Sequence, residues 1–146
     1  MKRAFETLPS ALHSEQLKPL GFHKSGHTIS RALPGYHERF NFQGSAWNEA
    51  GIGWRFYINV GVEFTDLPPE PLWWYFPHAH WAGRAEQLVP SAPRQWECSE
   101  AFDLAALKNA LHQVILEASR ALSVQHGTLR AAYLQRAAQS KPVPGA

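Results

Sequence analysis

His78-Ala79-His80 is the first place in this chain where residue type and spacing could do chemistry. Two histidines spaced by two share a face when the backbone is extended, and could then ligate one metal ion. Such a site needs a third ligand, and His23, His27, His112 or a carboxylate would have to supply it. No His-Glu-x-x-His or Cys-x-x-Cys pattern accompanies the pair, so the bland reading as loop or core histidines is preferred and no metal is expected. The single cysteine, Cys98, sits in "QWECSE" between Glu97 and Glu100. Neighbouring carboxylates raise a thiol's pKa rather than activate it, so Cys98 reads as a small packing residue. There is no Gly-x-Ser-x-Gly elbow and no phosphate-loop spacing. The sequence assigns no catalytic residue, no metal ligand and no cofactor.

Two further groups could bind rather than react. The first lies in "GWRFYINVGVEF", residues 53–64. Trp54, Phe56, Ile58, Val60, Val62 and Phe64 alternate with Arg55, Tyr57, Asn59, Gly61 and Glu63, the signature of a strand with one apolar and one polar face. Asn41 and Gln43 of the preceding strand join Arg55, Tyr57 and Asn59 on the polar face. Amides, a guanidinium and a phenol can hydrogen-bond a ligand or a partner's backbone, but they include no nucleophile and no general base. The ordinary alternative is the solvated back of a sheet. The second group is "PLWWYFPHAHW", where Trp73, Trp74, Tyr75, Phe76 and Trp81 crowd a proline-bounded segment. Either its rings fold back as a lid that completes the core, or some stay at the surface. Tryptophan is enriched at interface hot spots, so Trp73 and Trp74 are candidates for contact with a protein partner or a second copy of the chain.

The elements that must position these groups follow from periodicity. Residues 4–18 read as a helix carrying Phe5, Leu8 and Leu12, its regular part starting near Leu8 because Pro9 fits best in a first turn; Pro19 and Gly21 end it. Residues 26–33 and 37–46 read as strands joined by a tight Pro34-Gly35 turn. If Leu33 pairs with Tyr36, then Arg31 faces Glu38, Ile29 faces Phe40 and His27 faces Phe42. Phe40 and Phe42 then share a face with Phe56 and Ile58, and a one-residue slip would expose one set. Four prolines keep residues 65–81 out of a central strand or helix. Irregular chain follows, with one short turn of helix, and then a short fourth strand in "QWECS". From Asp103, an N-cap, Leu104, Leu107, Leu111, Val114, Ile115, Ala118 and Leu122 trace a helical stripe. The reading breaks that helix at Gly127 and starts another at Thr128, with Leu129, Ala132, Tyr133 and Arg136 toward the body. The tail, about 140–146, is frayed. The expected fold is α+β: an antiparallel sheet of three to four or more strands, with N-terminal and C-terminal helices on its apolar face.

Composition bounds the rest. A chain of 146 residues is one domain, 1–146, by the usual prior. One cysteine allows no internal disulfide, and no apolar run suits a signal peptide or a membrane span, so a cytoplasmic setting is expected and no membrane contact. The 14 Lys and Arg leave a net charge of only +2 and are scattered. Arg31, Arg39, Arg55, Arg84 and Arg94 could flank an RNA platform, but the sheet's aromatics lie mostly on the apolar face, so nucleic acid is not the expected partner.

"LKPLGFHKSGHTISR", "FNFQGS", "FYINVGVEF", the run His80, Arg84, Leu88, and Trp96 together resemble the bacterial domain-of-unknown-function family numbered 4304, over roughly residues 12–120. The resemblance implies an α+β fold and a bacterial source. It implies no established activity; small domains of this kind suggest an immunity or accessory role. The expectation is therefore a non-enzymatic protein-binding domain. The alternative is a ligand-binding domain or enzyme that uses the polar sheet face with His80 and Arg84.

Overall fold

Alternation of large apolar and polar residues forces one side of the central strands inward, and the N-terminal and C-terminal helices cover that side. The computed structural model describes residues 2–45, 48, 53–70, 75–98 and 104–140. Helix α1 (Lys2–Leu12) continues through a π-helical turn, His13–Leu17, and a 3₁₀ turn, Lys18–Leu20. Strands β1 (His23–Ser25), β2 (Thr28–Leu33), β3 (Tyr36–Gly44) and β4 (Trp54–Phe64) follow. Then come β5 (Trp81–Arg84), the single turn α2 (Ala85–Leu88), β6 (Trp96–Cys98) and the long helix α3 (Leu104–Ser140). The sheet is antiparallel, ordered β1-β2-β3-β4-β5, and β6 also pairs with β4.

The expected register holds. Leu33 pairs with Tyr36, Arg31 with Glu38 and Ile29 with Phe40. The Phe42 N–H donates to the His27 carbonyl, which extends the pairing by one step. Gly35 at the turn has φ 87°, the left-handed conformation a type II turn needs at that position. Phe40, Phe42, Phe56, Ile58 and Val60 are buried in one core with Leu107, Leu111 and Ile115 of α3 and Phe5, Leu8 and Leu12 of α1.

Several boundaries differ from the sequence reading. The strand expected from residue 26 starts at Thr28, because Gly26 and His27 form a turn and a short β1 precedes it. Pro9 lies inside α1 rather than in its first turn. It removes one N–H from the helical ladder, and burial of Phe5, Leu8 and Leu12 outweighs that loss. Residues 81–84, read as irregular, form β5, with Trp81 opposite Val62 and Arg84 opposite Asn59. Gly127 does not break the C-terminal helix: α3 runs through it for 37 residues, about 55 Å at 1.5 Å per residue. A helical glycine costs about 1 kcal/mol relative to alanine, too little to end a helix anchored on both sides. Leu104 and Arg136, placed inward, are exposed. Asp103 and residues 141–146 lie outside the described residues.

Arg31, one of the arginines that could flank an RNA platform, is not a free surface cation, because it pairs with Glu38. Both stand on the apolar face, beneath α3. Glu38 is fully buried; its Oε1 accepts from Arg31 Nη2 at 3.0 Å and from Ser119 Oγ of α3 at 2.7 Å. The Arg31 guanidinium also lies 4.3 Å from the centre of the Phe22 ring. This polar cluster ties β2, β3 and α3 together within an otherwise apolar layer.

Candidate functional site

The polar face of the sheet divides into a self-satisfied part and an open part. At the end near the β2–β3 turn, Glu63 accepts from Arg39 Nη2 at 2.9 Å and lies 3.7 Å from the His37 ring. In the middle, three amides and a hydroxyl form a ladder across three strands. Asn41 Nδ2 donates to Thr28 Oγ1 at 3.1 Å. Asn59 Nδ2 donates to Asn41 Oδ1 at 3.2 Å and to Gln43 Oε1 at 3.1 Å. Much of the hydrogen-bonding capacity of Asn41, Gln43 and Asn59 is thus spent within the sheet. Asn41 and Asn59 are buried.

Toward β5 the face opens. The Arg84 guanidinium lies over the Tyr57 ring, 4.2 Å from its centre, a cation–π arrangement. The Tyr57 hydroxyl accepts from Gln95 Nε2 at 2.9 Å. Backbone of Arg84 is fixed by Gln87, whose Oε1 accepts its N–H at 2.6 Å and so caps α2. Among the described residues, Arg84 Nη1 is shielded from solvent with no hydrogen-bond partner, and neither Arg84 nor Arg94 forms an ion pair with a carboxylate. Tyr57, Arg84, Glu86, Arg94 and Gln95 line a depression of about 480 Å³. Its two cations and one carboxylate leave a single net positive charge.

A second depression of about 260 Å³ shares Arg84 and is walled by Tyr75, Phe76, Ala82 and Gly83, with Asn59 and Gln87 at its margin. Phe76 is the fixed part of that wall. It is 2% exposed and packs over Gly61: a Cβ on Gly61 would lie 2.8 Å from Phe76 Cδ2. A glycine inside a strand often marks close approach of another group, and here that group is an aromatic ring. Two rings of the aromatic segment therefore fold back on the sheet: Phe76 covers the polar face, and Trp81 packs against the core.

Of the residues singled out in the sequence, Tyr57, Asn59 and Arg84 meet at these depressions, while Asn41 and Gln43 form the ladder beside them. Arg55 is exposed in its side chain, and its backbone is tied to Asn48 by two hydrogen bonds. His80 belongs to the interior. The Phe64 N–H donates to His80 Nδ1 at 2.8 Å, which fixes the tautomer, and Nε2 donates to the Pro68 carbonyl at 2.8 Å. Its ring also meets Tyr133 of α3 edge-on, with centres 4.8 Å apart. Both ring nitrogens are thus used by backbone, and His80 ties Pro68 to the end of β4. Trp73 and Trp74 lie outside the described residues. Glu86, Gln87 and Gln95 were not singled out for a site, and Arg94 was considered only for nucleic acid. They converge because α2 and β6 follow the unforeseen β5, and no local periodicity marks a four-residue strand.

The segment that walls the cleft is held by the far half of α3. Arg130 Nη2 donates to Asp66 Oδ2 at 2.6 Å, and the Tyr133 hydroxyl donates to Glu70 Oε1. The hydrogen bond from Arg130 holds the Asp66 carboxyl below the usual carboxylate range. The bond to Glu70, with some burial, pushes the Tyr133 phenol up. Cys98 is buried at the β4–β6 pairing, and burial pushes its thiol up as well. Among the described residues no cluster of three or more histidine, cysteine or acidic side chains is placed to hold a metal ion, and no helix is long and apolar enough to cross a membrane.

Comparison with known proteins gives a family and nothing finer. The model of a domain of unknown function, DUF4304, matches residues 13–122. No curated protein and no solved structure matches. The chain belongs to the DUF4304 family, and the Arg130 and Tyr133 clamp lies beyond the matched region.

Proposed function

We propose that this chain is a non-enzymatic recognition domain that binds a small anion in the cleft between Tyr57, Arg84, Arg94 and Gln95. One observation carries the reading: Arg84 is held in place by Tyr57 and α2, yet its Nη1 has no acceptor among the described residues. A donor left unsatisfied and shielded from water costs about 1–3 kcal/mol. A carboxylate or phosphate oxygen that reached Nη1 would remove that cost, and an arginine fork suits both groups. Arg94 adds a second cation, and Gln95 holds the Tyr57 hydroxyl at the same depression. The lining offers donors and positive charge. Its one carboxylate, Glu86, has no serine, cysteine or histidine beside it in the lining. The single, buried cysteine suits the reducing cytoplasm.

Thermal unfolding in rising phosphate or acetate, against chloride at matched ionic strength, tests this. A ligand that binds only the folded state adds RT ln(1 + [L]/Kd) to stability. The expected result is a saturable rise in Tm that Arg84→Gln and Arg94→Gln each weaken. A response no larger than that to chloride would sink the reading.

A protein contact through a second copy is the other reading, and one observation favours it. Val124, Gly127, Ala131 and Leu134 lie three and four residues apart along an exposed stripe of α3, with Val124 83% exposed. That spacing suits a helix–helix seam. Light scattering over a concentration series tests it: a mass that stays monomeric throughout excludes this contact.

A further inference from the structure

We infer that the ligand of this cleft is bipartite: an arylalkyl carboxylate or aryl phosphate whose charged end sits with Arg84 and Arg94, and whose ring enters the compartment walled by Tyr75 and Phe76. The inference rests on the anion-binding reading above and goes further, because it names the other half of the ligand.

Arg84 borders both depressions, so a ligand in contact with its guanidinium adjoins both. The two differ in chemistry. One is bordered by Arg94, Gln95 and the Tyr57 hydroxyl; the other by two aromatic rings and by Ala82 and Gly83, the smallest side chains available. An apolar cavity of about 150 Å³ can hold benzene. The aromatic compartment, about 260 Å³, has room for one ring with a short substituent. Its wall is already in place, because Phe76 is packed against Gly61 and does not have to be ordered by a ligand. A preformed aromatic wall favours a flat partner, through offset or edge-to-face contact.

Each half alone leaves something unsatisfied. A bare anion would pair with the arginines and leave the aromatic compartment wet. A neutral ring would fill that compartment and leave Arg84 Nη1 without an acceptor. An aryl anion meets both conditions. Glu86 limits the charge: with two arginines and one glutamate the polar half carries a single net positive charge, which a carboxylate balances and which a phosphate monoester, mostly dianionic near neutral pH, exceeds.

Calorimetric titration of the full chain tests the inference with six probes: 3-phenylpropionate, phenyl phosphate, acetate, methyl phosphate, inorganic phosphate and benzyl alcohol. At least one aryl anion should bind tenfold or more tighter than its small counterpart, acetate or methyl phosphate, and than benzyl alcohol. The two aryl probes tell a carboxylate site from a phosphate site. Ala82→Leu, which fills the aromatic compartment, should erase the aryl advantage and leave binding of the bare anion unchanged. Arg84→Gln should weaken the aryl anion at least tenfold. If that variant does not fold, Arg94→Gln, at an exposed position, should weaken the aryl anion in the same direction. Equal affinity for the aryl and small anions would overturn the bipartite ligand while leaving the anion site intact. Absence of binding by every anion would remove both readings, and benzyl alcohol binding as tightly as the aryl anions would exclude the charged half.

Discussion

Replacing Gly61 by alanine asks whether the aromatic cover on the polar face is real. Alanine in place of glycine in an unstrained strand normally stabilises a protein by about 0.4–1 kcal/mol, because the unfolded chain loses freedom. Here the added methyl would lie 2.8–2.9 Å from three atoms of the Phe76 ring. Carbon atoms sit comfortably at about 3.5–4.0 Å, so the ring must retreat by roughly 0.6 Å or more. Phe76 is 2% exposed, so it has neighbours behind it, and overpacking of this kind costs about 1–3 kcal/mol. The sign of the effect is therefore reversed: Gly61→Ala should lower stability by about 1–2 kcal/mol in urea unfolding, with an unchanged m-value. In a Phe76→Ala background the clash is absent, and the same substitution should be neutral or stabilising. A stabilising Gly61→Ala in the wild-type background would show that Phe76 does not occupy this position, and would remove the aromatic wall on which the bipartite ligand depends.

Three other substitutions test the frame around the site. Phe56→Ala should cost about 3–5 kcal/mol, since Phe56 is fully buried among Phe5, Phe42 and Trp96; a loss below about 1 kcal/mol would mean the apolar face is misassigned. Gly127→Ala should raise stability by about 0.8–1 kcal/mol, because α3 is continuous there and no atom lies within 4 Å of the added Cβ; destabilisation would show that the helix is interrupted at this residue. Tyr133→Phe should lower Tm near neutral pH. The folded-state pKa of Tyr133 is raised, so its contribution is fully present below its unfolded pKa of about 10 and is lost as pH rises through the folded value. Asp66 behaves oppositely: its depressed pKa makes the Arg130 contact present above about pH 4 and lost in acid. Melting curves of Tyr133→Phe and wild type should therefore converge at high pH; a gap that is the same at pH 7 and at strongly alkaline pH contradicts the clamp.

How much of this was legible in the sequence depends on the range of the interaction that decides each feature. The face of β4 was legible, because six alternating large residues admit only one buried side. The β2–β3 register followed, because Leu33 and Tyr36 flank a turn that Pro34-Gly35 dictates. The cation–π pair of Arg84 and Tyr57 was only half legible. Both residues were singled out, but their contact requires β5, whose four residues Trp81–Arg84 carry no alternation to detect. The backbone bonds of His80 are hidden from the sequence for a related reason. Its Nδ1 is consumed by the N–H of Phe64, sixteen residues earlier, and its Nε2 by the carbonyl of Pro68. Side-chain-to-backbone contacts of that range leave no spacing rule in the chain. Gly127 was misread because a glycine signals a helix end only when the flanking helices lack anchors, and Tyr36 stacks on His126 while Arg130 and Tyr133 reach Asp66 and Glu70.

Gly61 is itself a signal in the sequence: it is the smallest residue of the polar set in β4, the longest strand, where glycine is otherwise unfavourable. Gly83, in β5, is a different case: it pairs with Val60 and so faces the other side, where a Cβ would meet Gln87 Oε1 and the Trp81 ring. Gly61 pairs with Ala82, and these two small residues together leave room on the polar face. The room on the polar face is taken partly by Phe76 and partly by the open compartment next to it. The physical logic of the molecule then runs in one direction. Burial of the apolar face sets the register. The register brings Tyr57, Asn59, Gly61, Ala82 and Arg84 into one patch. The patch is walled by a segment that cannot form a ladder of its own, because its prolines lack the donors, and that segment is held by His80 below and by α3 behind. The side chains that could recognise a ligand are therefore the ones the fold did not need for itself. Arg39 and Glu63 neutralise each other and the central amides bond to one another, while at the open end of the face Arg84 and Arg94 form no ion pair among the described residues and Arg84 Nη1 has no hydrogen-bond partner there.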